Sequence, residues 1–406
     1  MELLEKNIIK IENTDSTDII YGLLTSPVPP KEAFNKEVIT ILNTSKKSIE
    51  EVNNIKKWDY NKKLSNPFEL INRYVKNKNL NLGIADYNSI SRAFYKFWEI
   101  LFDFDLIDKG NPSITYAALA EGPGGFVEAF NFYRRKYSTN NTDIINCITL
   151  KDTDNSNIPS WKKISGCNYN ISWGSDGTGD LYKLENILYF SKLFDGNKAD
   201  LVSADGGFDF STDYTNQELS AQKLIFCEMI TGLSILKNRG HMVIKIFDIF
   251  YSSTVEIIYI LSLYFESVYI TKPCTSRPAN SEKYIVCKFF KGIDTNKLIE
   301  LYKIVSEYNS LSGRLYISSF INRPIPDDFN NLIFSYNLYS VAKQLKYILK
   351  TNSYINAYLL NDDINNIKNS QCINSLAWCY KYDFDINKKS RYLNLDSKYN
   401  YIPNFV

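Results

Sequence analysis

The sequence predicts an α/β protein built on a doubly wound sheet, and three observations support this. Short apolar runs of strand length recur between residues 114 and 290, helical patterns separate them, and a glycine-rich turn follows the first run. Apolar strands that alternate with helices are typical of a mainly parallel sheet. We therefore expect a doubly wound sheet with helices on both faces, preceded by an N-terminal arm and followed by a helical C-terminal appendage.

The predicted elements follow one another in chain order. A helical pattern over about 88–107 precedes the sheet, and runs rich in β-branched and aromatic residues then predict the strands. The predicted strands are 114–120, 144–150, 200–205, 241–247, 267–273 and 283–290. The predicted helices are 125–136, 216–237, 253–264, 295–310 and 328–350, and an aromatic, polar tail ends in NYIPNFV.

The composition divides the chain into three parts. Residues 1–60 are polar and rich in asparagine and lysine, which predicts an N-terminal arm or small element on the substrate side. Residues 61–292 form the predicted α/β domain, and residues 293–406 form a helical C-terminal extension. The extension offers a surface on which protein partners could bind.

The charge balance constrains the partners. The chain has 47 Lys and Arg against 45 Asp and Glu, so its net charge is only +2. A nucleic-acid partner therefore requires a local basic patch, such as Lys62-Lys63, although such a run is more often a solvated face. No apolar run reaches the length of a membrane span, and the N-terminus lacks a signal-peptide layout. We expect an intracellular protein, cytoplasmic or nuclear, or one in a viral factory or virion if a virus encodes it.

Cysteine and histidine are unsuited to metal chemistry in this chain. The seven cysteines are odd in number and never spaced as C-x-x-C, which argues against a zinc site or a disulfide framework. His241 is the only histidine, so a Ser-His-Asp arrangement would depend on it alone. We expect no metal, and chemistry carried by lysines and carboxylates.

The turn EGPGGF (121–126) joins the first predicted strand to a helix. Gly122, Gly124 and Gly125 allow a tight turn and a close backbone approach to a ligand. The helix N-terminus then presents its N–H groups to an anionic group. The turn is neither G-x-G-x-x-G nor a P-loop. It predicts a loop for a nucleotide-type ligand, with a plain strand-to-helix turn as the alternative.

Three charged residues are predicted at one edge of the sheet. Lys245 lies inside the apolar run HMVIKIF, where packing gives no reason for a charge, and Asp205 ends the preceding strand. Glu282 opens the last strand. Ligands of doubly wound sheets bind at the carboxyl ends of strands. As alternatives, Lys245 could snorkel to the surface and Asp205 could cap a loop.

The turn and five further blocks resemble the FtsJ-type RNA 2′-O-methyltransferases, most closely the cap-specific messenger RNA (nucleoside-2′-O-)-methyltransferases. The resemblance covers roughly residues 60–350. The further blocks are NPFE (66–69), SRAFYK (91–96), DGTGDLYKLENI (176–187), SADGGFDFS (203–211) and the pair GHMVIKIFDIF (240–250) with KPCTSRPANSEKYIVCK (272–288).

The resemblance implies a Rossmann-like methyltransferase sheet and the cofactor S-adenosyl-L-methionine. It places Asp205 beside the sulfonium and Asp180 on the adenine amino group. Lys151 or Asp152, after the second strand, would hold the ribose. The residues implied to hold the methionine part are Gly122, Pro123, Gly124, Gly125 and Phe126.

The same resemblance implies a catalytic tetrad of Lys96, Asp205, Lys245 and Glu282. Lys245 would be the general base for a ribose 2′-hydroxyl, since the methyl on a sulfonium is already activated and only the hydroxyl needs help. Lys96 and Glu282 would orient the hydroxyl and Lys245, and Asp205 would hold Lys245 in place. Two carboxylates would raise the pKa of Lys245, whereas Lys96 and burial would lower it, and the sequence leaves this balance open.

For the substrate, the resemblance implies capped mRNA, methylated near its 5′ end. Ser276, Arg277 and Asn280 match a substrate loop in which Arg277 would contact a phosphate. Lys62 and Lys63 lie where the family has basic residues near the cap. Two alternatives stay open: a ribosomal or transfer RNA 2′-O-methyltransferase on the same scaffold, and a non-catalytic scaffold that binds capped RNA.

Overall fold

The structure of the chain is a computed structural model. The residues that it describes are 8–13, 15, 19–50, 55–75, 80–138, 142–152, 158–207, 215–311, 315–357 and 359–393. Two segments singled out from the sequence lie outside these ranges, namely the end of the block at 203–211 and the tail NYIPNFV.

The described residues form twelve strands. They are β1 (Ile9–Ile11), β2 (Tyr21–Ser26), β3 (Tyr74–Val75), β4 (Leu80–Asn81), β5 (Thr115–Leu119), β6 (Ile144–Ile148), β7 (Asn170–Ser172), β8 (Ala199–Ala204), β9 (Leu236–Ile246), β10 (Phe265–Thr271), β11 (Lys283–Phe290) and β12 (Tyr316–Ile321). Eight of them form one sheet in the order β1-β10-β11-β9-β8-β5-β6-β7, and β2–β12 and β3–β4 form two small pairs.

The direction of the strands determines where the site lies. Strands β9, β8, β5, β6 and β7 are parallel neighbours, so their carboxyl ends share one edge of the sheet. Strand β11 runs antiparallel to β9, with Tyr284 opposite Lys245. The first residues of β11 therefore lie at the same edge as the last residues of β8 and β9.

The described part of the chain contains ten helices. They are α1 (Lys36–Glu50), α2 (Ile55–Ser65), α3 (Ala93–Phe104), α4 (Gly125–Tyr137), α5 (Leu184–Lys192), α6 (Gln217–Ile235), α7 (Ser252–Tyr264), α8 (Thr295–Ser310), α9 (Asp327–Asn356) and α10 (Asn361–Lys381). Together with the sheet they confirm the predicted α/β architecture.

Two apolar cores lie on the two faces of the sheet. Alternate residues of β5 point to opposite faces, as a pleated strand requires: Ala117 and Leu119 belong to the core with α5–α8, and Tyr116 and Ala118 to the core with α3, α4 and α10. Both faces of the sheet are therefore covered by helices.

The terminal parts of the chain pack onto this sheet. Strand β1 extends the sheet beside β10, β2 pairs with β12, and a third core joins α1 to α9 through Leu42, Val341 and Ile348. Residues predicted as an N-terminal arm thus contribute a strand to the main sheet. None of the helices in the described ranges has the length and apolar character needed to cross a membrane.

Candidate active site

The edge of the sheet brings together the four residues of the implied tetrad. Lys96 Nζ lies 2.8 Å from the Glu282 carboxylate. Lys245 Nζ lies 3.3 Å from Asp205 Oδ1 and donates to the Asp205 carbonyl oxygen at 2.6 Å. Each of the four side chains is 12–15% exposed. Two cations and two anions thus form a nearly buried, balanced cluster.

The cluster shifts the pKa values of two of its members. Burial opposes the charged form of Lys245, but the carboxylates of Asp205, Glu282 and Glu228 outweigh it and raise its pKa. Burial likewise opposes ionisation of Glu282, but Lys96, Lys245 and Lys272 lower its pKa to about 2. In the protein alone Lys245 therefore keeps its proton and Glu282 stays ionised.

Neighbouring groups fix the two carboxylates. The Tyr284 hydroxyl donates to Asp205 Oδ1 at 3.0 Å, and the Ser276 hydroxyl donates to Glu282 Oε1 at 2.9 Å. Lys272 Nζ donates to the Glu282 carbonyl oxygen at 2.7 Å. Of these three supporting residues, sequence reasoning identified only Ser276. Tyr284 could not be identified without the pairing of β11 with β9, which sets Tyr284 opposite Lys245.

A cavity of about 700 Å³ opens beside the cluster. Its size falls in the range of small-molecule sites. Three carboxylates, Asp180, Asp205 and Glu282, line it, which suits a cationic ligand. Next to it, Glu121 has a buried carboxylate oxygen that accepts no hydrogen bond from the described residues. The lining comprises Ala120, Gly122, Thr149, Leu150, Ile158, Pro159, Gly179, Asp180, Leu181, Tyr182, Asp205, Gly207, Leu224, Lys245, Phe247 and Glu282.

The glycine-rich turn reaches the cavity only at its first glycine. Gly122 lines the cavity, whereas Gly124, at φ 106°, precedes α4 and Gly125 begins that helix. The buried Phe126 ring stacks on Phe97 with ring centroids 4.3 Å apart. The Pro123 carbonyl accepts a hydrogen bond from the backbone N–H of Lys162, at 3.1 Å. Gly124, Gly125 and Phe126 thus set the shape of the turn but do not line the cavity.

The two ribose candidates lie just beyond the lining. Asp152 is exposed and accepts a hydrogen bond from the Ser160 hydroxyl, and the Lys151 N–H donates to the Thr178 carbonyl at 2.8 Å. The preceding residues, Thr149 and Leu150, line the cavity instead. The two residues that follow β6 therefore reach the cavity, while Asp152 does not line it.

A second cavity, of about 200 Å³, adjoins the substrate loop. The predicted residues Lys62, Arg277 and Asn280 line it, and Lys63 is exposed outside it. Arg277 Nη2 donates to Glu69 Oε1 at 3.0 Å. The full lining is Lys46, Ile49, Trp58, Lys62, Ser65, Gln217, Arg277, Pro278, Ala279, Asn280, Ser281 and Gln344.

Lys46 was missed because the sequence predicts only an arm over its segment. Its side chain, 3% exposed, lies 2.7 Å from Asp248 Oδ2, and Lys283 Nζ lies 3.1 Å from the other oxygen of Asp248. This buried triad has two cations and one anion. It fastens α1 to the ends of β9 and β11 and adds a positive charge beside the second cavity.

The fold and the cavity at the sheet edge define a Rossmann-like methyltransferase. Residues 89–290 match the family model described as FtsJ-like methyltransferase, so the chain contains an FtsJ-like methyltransferase domain. This confirms the family resemblance found in the sequence.

The chain is also similar to individual named proteins. Cap-specific mRNA (nucleoside-2′-O-)-methyltransferase 1 of Mus musculus is 30% identical over 295 residues, which are 66% of this chain and 34% of that protein. The inactive cap-specific mRNA (nucleoside-2′-O-)-methyltransferase 1B of Caenorhabditis briggsae is 30% identical over 206 residues, 50% of this chain and 23% of that protein. A solved ribosomal RNA methyltransferase of Plasmodium falciparum has 20% identity and a TM-score of 0.36, covering 50% of this chain and 99% of that one. The chain spans about a third or less of the curated relatives it matches.

Proposed function

We propose that the chain transfers a methyl group from S-adenosyl-L-methionine to a ribose 2′-hydroxyl of capped mRNA near its 5′ end. The observation that carries this proposal is the paired cluster Lys96–Glu282 and Lys245–Asp205 beside the larger cavity. An mRNA substrate places its action in the nucleus or the cytoplasm.

The cofactor proposal rests on the cavity's chemistry. Gly122 offers close backbone approach, Asp180 an acceptor for an amino group, and Asp205 a negative charge for a sulfonium. Bound S-adenosyl-L-methionine supplies a methyl group already activated for transfer. The protein's own residues must then bind, orient and deprotonate the hydroxyl.

Lys245 is the proposed general base and takes the hydroxyl proton on Nζ. It must first lose the proton that Asp205, Glu282 and Glu228 favour. A cationic ligand beside Asp205 offsets the negative charge by which this carboxylate raises the pKa of Lys245. Substrate that excludes water increases the burial of Lys245, and burial lowers its pKa. Both changes lower the pKa of Lys245 toward the working range of a base. The Lys96–Glu282 pair holds the hydroxyl in position.

The second cavity supports capped RNA as the substrate. The cationic side chains of Lys62 and Arg277, paired with Asp59 and Glu69, line it together with the buried Lys46, next to the loop that carries Glu282. Such a cluster suits the phosphates that join a cap to the first transcribed nucleotide. The related proteins named for cap-specific methylation support the same choice.

The test is methyl transfer to short RNA, capped or uncapped, with the modified nucleotide mapped. Lys245→Ala should lower the rate by at least about a hundredfold, because a general base contributes that much, while cofactor affinity measured by calorimetry is retained. Lys237→Ala, exposed on the same strand, is the matched control. Near-normal turnover of Lys245→Ala would show that Lys245 is not the general base. Equal turnover of capped and uncapped RNA would show that the enzyme does not require a cap.

A further inference from the structure

One flank of α9 carries a stripe of lysines and tyrosines. Their spacing of three or four residues places them on one side of the helix. The α9 stripe comprises Tyr339, Lys343, Lys346, Lys350 and Tyr354. At 1.5 Å per residue it is about 22 Å long, longer than a single nucleotide.

The charge of this segment is of one sign. No Asp or Glu occurs between Asp328 and Asp362, whereas the chain as a whole is nearly balanced at net +2. The lysines also lie over tyrosine rings: Lys343 Nζ is 5.9 Å from the Tyr339 centroid, and Lys350 Nζ is 5.7 Å from that of Tyr354. The stripe therefore has three successive lysines with a tyrosine ring at each end.

The stripe continues from the proposed substrate site. Tyr339, which is 47% exposed, and Lys343 line a crevice with Asn280 of the substrate loop. Gln344 lines both this crevice and the second cavity, and its amide donates to the Ala279 carbonyl at 3.2 Å. The two depressions thus share a wall, and the crevice leads from the second cavity onto α9.

We propose that the α9 stripe binds the single-stranded body of the RNA, beyond the nucleotides held at the two cavities. Lysines contact the phosphates and exposed tyrosines stack on bases, which is how proteins hold single strands without reading sequence. The inference rests on the proposed function and extends it, because it assigns the C-terminal extension a part in substrate binding. The open, elongated shape of the stripe favours a strand over one enclosed cap.

The experiment compares a capped dinucleotide with a capped, unstructured RNA of roughly 20 nucleotides, using the full chain. Tyr339→Ala should weaken binding of the longer RNA at least about fivefold, and Tyr339→Phe should retain it. Replacing Lys343, Lys346 and Lys350 together by Ala should lower the salt dependence of binding by about 0.7 per lysine. Turnover of the dinucleotide should stay at the wild-type level.

Lys303→Ala, an exposed lysine on α8 of the same extension, controls for the loss of charge. Variants that bind the longer RNA as well as this control would overturn the proposal. An equal loss of affinity for the capped dinucleotide would also overturn it, since the stripe would then bind the cap end of the RNA. Wild-type protein that methylates neither RNA would overturn the proposed function instead, and the binding measurements would still test the stripe.

Discussion

At the scale of single residues, Glu282 connects most of the groups around the reaction centre. Its carboxylate contacts the Lys96 ammonium and the Ser276 hydroxyl, and its carbonyl accepts from Lys272. Burial alone would raise its pKa, but the surrounding lysines lower it to about 2. Glu282 thus couples the stability of the fold to pH.

We expect the stabilisation by Glu282 to disappear in acid. Its folded-state pKa lies below the ordinary value of 4.5, so the stabilising charge is present above 4.5 and is lost as the pH falls toward 2. Glu282→Gln should therefore lower the free energy of unfolding by about 3 kcal/mol at neutral pH and by progressively less below pH 4.5. Urea unfolding at a series of pH values measures this, with the exposed Glu185→Gln as control. A difference that is independent of pH would contradict the coupling.

The sequence could predict part of this centre. Asp205 and Lys245 were identifiable because they lie at or near the carboxyl ends of apolar runs, where the strands of such a sheet present ligands. Glu282 was identifiable as the acid that opens the last apolar run. Lys96 was identifiable only through the resemblance, since a lysine on an amphipathic helix is ordinarily solvated. Tyr284 required the pairing register of β11 with β9.

At the scale of elements, the loop before α5 forms a wall of the larger cavity. Gly179 has φ +71°, and a Cβ there would lie 1.8 Å from the Thr149 carbonyl oxygen. Gly177 has φ +79°, and a Cβ there would meet nothing within 4 Å. The two glycines therefore share a left-handed backbone conformation but differ in their surroundings.

Gly179→Ala should lower cofactor affinity at least about tenfold, because the clash must displace the loop that carries Asp180. Gly177→Ala shares the unfavourable φ and should have only a small effect. Titration calorimetry with S-adenosyl-L-methionine measures both. Equal losses in the two variants would mean that backbone strain, rather than the contact with Thr149, sets the requirement for glycine.

The docking of α1 is a second property of elements, and it depends on the Lys46–Asp248–Lys283 triad. Asp248→Asn should cost about 3–5 kcal/mol of unfolding free energy, because two buried ammonium groups lose their counter-charge. Glu266→Gln breaks the exposed pair with Arg239 and should cost about 0–1 kcal/mol. Chemical denaturation compares the two. A loss for Asp248→Asn as small as that of the control would rule out this role.

Long elements with clear periodicity between residues 88 and 350 were predictable, whereas the terminal strands and helices and several short elements were not. Strand β7 is a three-residue strand inside a long loop, too short to show alternation. Helix α5 lies in a segment that stood out only as a sequence block, and α10 begins where an aromatic tail was expected. Strand β12 forms through pairing with β2, nearly three hundred residues earlier in the chain.

At the scale of the whole molecule, the C-terminal extension completes one of the two cores. Trp378 of α10 is fully buried, and its ring lies 5.7 Å from that of Tyr95 in α3. The Trp98 indole N–H donates to the Tyr382 carbonyl at 3.0 Å. Helix α10 therefore belongs to the folding unit of the domain that it covers.

Trp378→Ala should lower the free energy of unfolding by about 3–5 kcal/mol, through the cavity left under α3. Tyr380→Ala, two residues later and 59% exposed, is the matched control and should stay within about 0.5 kcal/mol. Denaturant unfolding followed by circular dichroism distinguishes them. If the two variants unfold alike, α10 contributes nothing to the core.

The antiparallel course of β11 has a genetic consequence. Because this strand starts at the active edge, the loop that leads into it carries Ser276, Arg277 and Asn280 directly before Glu282. Residues proposed to choose the substrate and an acid of the reaction centre are thus encoded side by side. A single recombination within a short stretch of gene would exchange both together, so a change of RNA preference need not separate recognition from chemistry.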